Sequence, residues 1–296
     1  MALFSVRDLS FAYPDADRRA LENVSVDIER GEYLCVCGKS GCGKTTLLRQ
    51  LKSVLSPHGK RSGTVLLDGV VLDEVSLETQ ARRIGFVMQN PDAQIVTDRV
   101  FSELSFGLES IGCETSALRL RVAEMASYFG MQDWLYRDVT ELSGGQKQLL
   151  NLAGVMAMQP DVLVLDEPTS QLDPIATEDF LNTVRRINRE LGCTVIITEH
   201  RLESVFSHAD RVLALDEGRV AAHGTPREVA NALYATGDDM TLALPSPMRV
   251  FYGVEKMDAS ACPLTVREGR TWLVERVLAE PPARVSIPDD PIPEPA

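Results

Sequence analysis

No run of eighteen apolar residues occurs in this chain of 296 residues, which argues against a transmembrane helix. The start, Met1-Ala2-Leu3-Phe4-Ser5-Val6-Arg7, lacks the charged and long apolar segments of a secretory signal, so the expected compartment is the cytosol. Basic charge is also short. Thirty lysines and arginines face 43 aspartates and glutamates, a formal net charge of −13. That balance argues against nucleic acid as a partner, because phosphate contacts need clustered Lys and Arg. The acidity is read first as solubility, and second as an acidic face for a basic partner segment. The six cysteines, Cys35, Cys37, Cys42, Cys113, Cys193 and Cys262, show no pair of C-x-x-C spacings, which argues against zinc. None of them requires an oxidising compartment. Cys42 is the one that could be oxidation-sensitive. No internal repeat is present.

What is there alternates between strand and helix. Leu3 to Tyr13 and Val24 to Ile28 read as a hairpin-rich opening, and Tyr33 to Cys37 as a short apolar strand. Thr45 to Leu55 carries Leu47, Leu48, Leu51 and Leu55 at helical spacing. Further strands are expected at Gly63–Leu67, Ile84–Met88, Val162–Leu165, Val195–Thr198 and Val212–Leu215, with residues 90–158 mainly helical. A helix is expected from Pro174 to Leu191, with Asp173 as its N-cap, Pro174 in the first turn and Gly192 as its stop. Its apolar residues Ile175, Leu181, Val184, Ile187 and Leu191 fall largely on one face. Strands separated by helices predict a mostly parallel α/β core. From Pro245 the pattern weakens, and residues 281–296, with six prolines, read as an extended tail.

Three stretches carry chemistry. Gly38-Lys39-Ser40-Gly41-Cys42-Gly43-Lys44-Thr45 stands between a strand and a helix, the context a phosphate loop requires. Its glycines let successive N–H groups converge on phosphate oxygens. Lys44 supplies a full charge for the β and γ phosphates, and the Thr45 hydroxyl suits Mg2+. Val162-Leu163-Val164-Leu165-Asp166-Glu167 ends an apolar strand in two acids, Asp166 for Mg2+ and Glu167 as general base for an attacking water. Leu142-Ser143-Gly144-Gly145-Gln146 opens a helix with donors that could meet a γ-phosphate.

Tyr13, Gln89, Leu142–Gln146, Asp166–Glu167, Ser170–Asp173 and His200 follow one another in the order of ABC-type nucleotide-binding domains. The chain resembles that family over roughly residues 3 to 230. The resemblance implies a P-loop NTPase (RecA-like) α/β core with an N-terminal antiparallel β subdomain and an inserted helical subdomain. It implies ATP and Mg2+ as cofactors. Residues 1–240 would form the ATP-binding domain, with its helical part at about 90–158, followed by a C-terminal appendix at 241–280 and the proline-rich tail. Nucleotide would be bound by Tyr13, stacked on adenine, by Gly38, Lys39, Ser40, Gly41, Cys42, Gly43, Lys44, Thr45 and Thr46, and across the dimer by Ser143, Gly144, Gly145 and Gln146. Thr45, Gln89 and Asp166 would serve the metal. Glu167, His200, Lys44 and Gln89 would carry catalysis, His200 by contacting the γ-phosphate. Without the resemblance, Tyr13 reads as a surface aromatic and His200 as a histidine at a strand end.

Within the family, Gln89-Asn90-Pro91-Asp92-Ala93-Gln94, Phe106-Gly107-Leu108 and Thr198-Glu199-His200-Arg201-Leu202-Glu203 are similar to the ATPases of energy-coupling factor (ECF) transporters. Two departures stand out: Arg201 where most importers have aspartate, and Gln171 where the family has a small residue. Pro263–Leu273 resembles the connector that precedes a second ATPase in tandem members, yet only one phosphate loop and one signature are present. The expectation is an ATPase subunit at the cytoplasmic face of a membrane, powering uptake of a vitamin or transition-metal ion. Its partners would be a second ABC ATPase subunit (a copy or a different chain), a transmembrane scaffold met near Gln89, and indirectly a substrate-binding membrane subunit. The alternatives are the ATPase of another importer or exporter, a soluble ABC ATPase of chromosome maintenance or translation, and a non-hydrolysing regulatory module. The interval from Thr46 to Glu141 has no room for long coiled coils, and one cassette with an acidic balance does not suit a ribosome-acting protein.

Overall fold

The computed structural model describes residues 2–14, 16–199, 202–237, 239–254 and 261–279. Strand β1 (Ala2–Ala12) pairs antiparallel with β2 (Leu21–Glu29). Strand β3 (Tyr33–Gly38) runs into helix α1 (Lys44–Gln50). Strand β4 (Lys60–Leu67) returns antiparallel to β1, and β5 (Val70–Val71) completes a four-stranded sheet in the order β2-β1-β4-β5. Helix α2 (Leu77–Arg83) and strand β6 (Ile84–Val87) follow, then α3 (Val100–Ser110), α4 (Thr115–Tyr128) and α5 (Gly144–Ala157). The chain re-enters the core with β7 (Val162–Asp166), α6 (Pro174–Leu191), β8 (Thr194–Thr198), β9 (Arg211–Asp216) and β10 (Arg219–Gly224). Helices α7 (Pro226–Thr236), α8 (Ser246–Val254) and α9 (Val266–Ala279) end the described chain.

The second sheet has the order β10-β9-β3-β8-β7-β6, parallel throughout except for the β9–β10 hairpin. Side-chain alternation along its strands sorts residues into two cores. Leu34, Val36, Val164, Ile196 and Leu213 face the antiparallel sheet and α1, where they meet Phe4, Phe11, Leu47 and Leu48. Cys35, Cys37, Leu163, Leu165, Val195 and Ile197 face the helices, with Phe180, Val184, Leu152 and Phe206. A parallel sheet buried on both faces gathers its strand ends on one edge. All three chemistry-bearing strand ends, Gly38, Asp166 and Thr198, lie on the carboxyl edge, because Val36 and Asp166 are both in register with Thr198.

Helix α6 forms as its caps predict. Asp173 accepts from the amides of Ile175 and Ala176, and Gly192 closes the helix at φ 66. Ile175 and Leu191, however, are exposed (75% and 55%). The helix has 18 residues, about 27 Å at 1.5 Å per residue, and outruns the five-residue strands it covers. The helix expected from Thr45 to Leu55 is shorter. It stops at Gln50, and Ser53–Leu55 form a separate 3-10 turn. There the Ser53 amide and hydroxyl both donate to Gln80 Oε1 (3.0 and 2.9 Å), and Lys52 Nζ donates to the Ile84 carbonyl at 2.7 Å. These bonds tie the chain to α2 and β6 in place of another helical turn.

The segment from residue 239 shares the helix-side core. Met240, Leu244, Met248 and Phe251 are buried with Leu202, Val205 and Phe206. The Tyr252 ring stacks on Tyr234 at 4.0 Å, and Trp272 packs on Phe251 at 5.1 Å. The proline-rich stretch 281–296 lies outside the described residues.

Candidate active site

The glycine-rich loop is built by close approach of backbones. Gly43 sits at φ 108, and a Cβ there would come within 2.3 Å of the Ala20 carbonyl oxygen. The loop is tied from the other side by the β9–β10 turn, where Gly218 N donates to the Cys42 carbonyl at 3.0 Å. Lys44 is only 4% exposed, with Nζ donating to the carbonyls of Gly38 (3.0 Å) and Lys39 (3.2 Å). An ammonium has three protons to donate, and those two carbonyls are neutral. Among the described residues this buried ammonium is answered by neutral acceptors, a costly arrangement that favours an anion beside it. Cys42 is buried, and its thiol is pushed up by that burial. This overturns its expected oxidation sensitivity, since reactivity follows the exposed thiolate.

Across a cleft of about 590 Å³ from this loop lie Gln89 and Glu167. Gln89 Nε2 donates to Glu167 Oε2 at 3.0 Å, and Thr45 Oγ1 donates to Asp166 Oδ1 at 2.9 Å. Burial raises the Asp166 pKa and the nearby Glu167 charge adds to this, while the hydrogen bonds from Thr45 and Thr198 act in the opposite direction. Glu167 adopts φ 46, a left-handed conformation unusual for a side chain of its kind. Tyr13 stands at the cleft, its hydroxyl 3.1 Å from Thr46 Oγ1 and its ring edge-on to Phe11. Ser40, Gly41, Gly43 and Thr46 also line the cleft. His200 lies outside the described residues.

The signature stands apart. Ser143 and Gly144 are exposed, and no residue of Leu142–Gln146 lines the cleft. A capping box explains the local conformation. Ser143 Oγ accepts from Gln146 N, and Gln146 Oε1 accepts from Ser143 N at 2.9 Å. Helix α5, which the signature opens, also holds the segment after β6. Lys147 pairs with Asp92 at 2.7 Å, Gln148 donates to the Met88 carbonyl at 3.2 Å, and Asn151 donates to the Pro91 carbonyl at 3.1 Å.

Several lining residues escaped the sequence. Arg18 and Arg19 border the cleft from the β1–β2 connection, and Glu217 and Gly218 border it from the β9–β10 turn. Glu217 (φ 44) and Gly218 (φ 82) both have positive φ, the two-residue hairpin geometry that Asp216-Glu217-Gly218 could have signalled. Nothing local marks the arginines.

Residues 21–170 match the family model for the ABC transporter. A putative ABC transporter ATP-binding protein of Bacillus cereus (strain ATCC 10987 / NRS 248) is 44% identical over 265 residues, covering 90% of this chain and 47% of that protein. The chain belongs to the ABC transporter family. It has the α/β architecture of the family's ATPase cassette. The energy-coupling factor transporter ATP-binding protein EcfA1 of Symbiobacterium thermophilum is 43% identical over 265 residues, 86% of this chain and 89% of that protein. Among solved structures, cbiO1 of Clostridium perfringens, part of the ABC transporter complex cbiONQ, superimposes with a TM-score of 0.70 at 31% identity, over 81% of this chain and 94% of that one. The chain spans about half the length of the Bacillus relative.

Proposed function

We propose that this ABC cassette binds ATP in the cleft between the glycine-rich loop and Gln89–Glu167, and hydrolyses it with Glu167 as general base. The observation that carries the proposal is the set of oxygens brought together there. Thr45 touches Asp166 and Gln89 touches Glu167, opposite a buried ammonium. Lys44 neutralises the β and γ phosphates, the loop amides cradle them, and Tyr13 presents its ring to the base. Hard oxygen donors from a hydroxyl, a carboxylate and an amide suit Mg2+, which takes few protein ligands beside phosphate oxygens. Thr45, Asp166 and Gln89 would hold it, and when bound it neutralises charge on the β and γ oxygens. Glu167 Oε1/Oε2 takes a proton from a water that Gln89 orients, and the resulting hydroxide attacks the γ-phosphorus in line with the departing ADP oxygen. His200 would complete the γ-phosphate contacts.

The exposed signature of one cassette would cap the nucleotide of a second, either a copy or a related ATPase chain. The similarity to EcfA1 and cbiO1 supports an ECF-type importer that serves a vitamin or a transition-metal ion. A membrane scaffold would dock where Gln89–Asp92 is tied to α5, and a substrate-binding membrane subunit would be reached through that scaffold. The helical part that follows this stretch carries exposed apolar side chains: Val96 (66%), Phe106 (43%) and Tyr136 (74%), the last stacked on Phe101. No described helix is long and apolar enough to cross a membrane, so membrane placement would come through that scaffold. Residues 241–280 would form a C-terminal appendix to the ATP-binding domain.

Glu167→Gln tests the chemistry. Turnover is expected to fall about 10²–10⁴-fold with ATP still bound, the range for loss of a general base. Parental turnover in that variant would remove Glu167 from the role.

A further inference from the structure

We infer that Thr198 is a positioning residue for hydrolysis, its single hydroxyl holding the Glu167 backbone and the Asp166 carboxylate together. The inference rests on the proposed roles of those two acids. Thr198 is the last residue of β8 and is fully buried. Its Oγ1 accepts from the Glu167 amide at 2.9 Å and donates to Asp166 Oδ1 at 3.1 Å. A hydroxyl is both donor and acceptor, so the two bonds coexist. Valine, of the same shape, can make neither.

The position makes the contact more than a generic strand-end bond. Asp166 and Thr198 are direct partners in the β7–β8 ladder, so the regular pairing ends where Glu167 begins. Glu167 then turns to φ 46, which strands rarely accommodate and which needs its surroundings to hold it. That turn aims the Glu167 carboxylate at Gln89. The next residue, Glu199, is buried, and its carboxylate accepts from the Thr169 amide at 3.2 Å. The end of β8 therefore grips both sides of Glu167, and His200 follows directly in the sequence. Movement of that strand end would move the proposed base with it. Thr198 is not among the residues that line the cleft, and it acts through the two acids.

Thr198→Val and Thr198→Ser in the full-length chain make the test. In the nucleotide-free protein, hydrogen exchange of the Glu167 amide should be at least about tenfold faster in Thr198→Val and near parental in Thr198→Ser, since protection follows the amide's bond. With its partner chain present, Thr198→Val should lose about tenfold or more in kcat with KM for ATP within about twofold, the pattern of an interaction that matters only in the transition state. Thr198→Ser should restore kcat. A purely structural role would lower melting temperature or binding without that split. Unchanged amide exchange in Thr198→Val would overturn the proposal, as would unchanged kcat, or a Thr198→Ser defect as large as that of valine. Should the valine variant not fold, Thr198→Ala set against Thr198→Ser makes the same comparison. Glu167→Gln with parental turnover would sink the base assignment instead, leaving the exchange result to report on the hydrogen bond alone.

Discussion

The phosphate loop and the signature each set glycines at the start of a helix, and the chain treats them in opposite ways. The loop is enclosed by its own chain. Lys44 is buried, Gly43 is pressed against Ala20, and the β9–β10 turn closes on Cys42. Gly144 lies in the open, with the Gln171 carbonyl at 3.9 Å the nearest atom to an added Cβ. Its helix is capped entirely from within by Ser143 and Gln146. One glycine cluster is enclosed by its own chain, and the other is left open. Backbone donors kept exposed at a helix start suit an anion brought from outside.

The comparison can be broken at either end. The largest effect is expected for Lys44→Ala, which leaves the phosphates facing an uncompensated cleft. Affinity for ATP should fall by at least about a hundredfold, in line with truncating one partner of a desolvated charge pair, and equilibrium binding of a fluorescent ATP analogue reads it. Gly144→Asp acts on the other half. The added Cβ has room and an acid suits the first helical turn, so folding should be untouched. ATP binding to the single chain should stay parental, while turnover drops about a hundredfold from like-charge repulsion against the γ-phosphate. Equal losses of binding in the two variants would erase the distinction between the clusters.

The smallest effect is a control on stability. His208 is held neutral, its pKa lowered from 6.5 to about 4 by burial, with Arg185 and Arg189 adding to it. The unfolded chain takes up that proton near pH 6.5 and the folded chain does not, so acidification between about 6.5 and 4 favours unfolding. His208→Gln should reduce the fall in melting temperature between pH 7 and pH 5 while leaving both glycine clusters at parental function. A parental pH slope in that variant would show that His208 is not neutral in the folded chain.

Local signals were readable in the sequence, and register was not. Lys44, Thr45, Asp166, Gln89 and Glu167 come from motifs whose spacing can be seen along the chain; four of them meet in one cleft, and Asp166 lies behind it, bonded to Thr45. Helix α6 announces itself through Asp173, Pro174 and Gly192. Thr198 could not be found that way, because its partners are set by the β7–β8 ladder. Arg18 and Arg19 reach the cleft through the pairing of β1 with β2, and nothing about their own neighbours marks them. Helices α8 and α9 were missed because Phe251 and Trp272 find their cover in residues distant in sequence. Ile175 and Leu191 show the converse error, since helical period says which face a residue is on but not whether the core extends that far.

The central claim is that the signature of one cassette serves the nucleotide of another. Mixing Lys44→Ala chains with Gly144→Asp chains tests it most directly, since each variant alone is expected to retain only a small residue of the parental turnover. A mixed dimer holds one pocket made from the intact phosphate loop of the second variant and the intact signature of the first. ATP hydrolysis should therefore reappear on mixing. No activity above either variant alone, in samples where sedimentation shows the two chains associated with ATP, would contradict the claim.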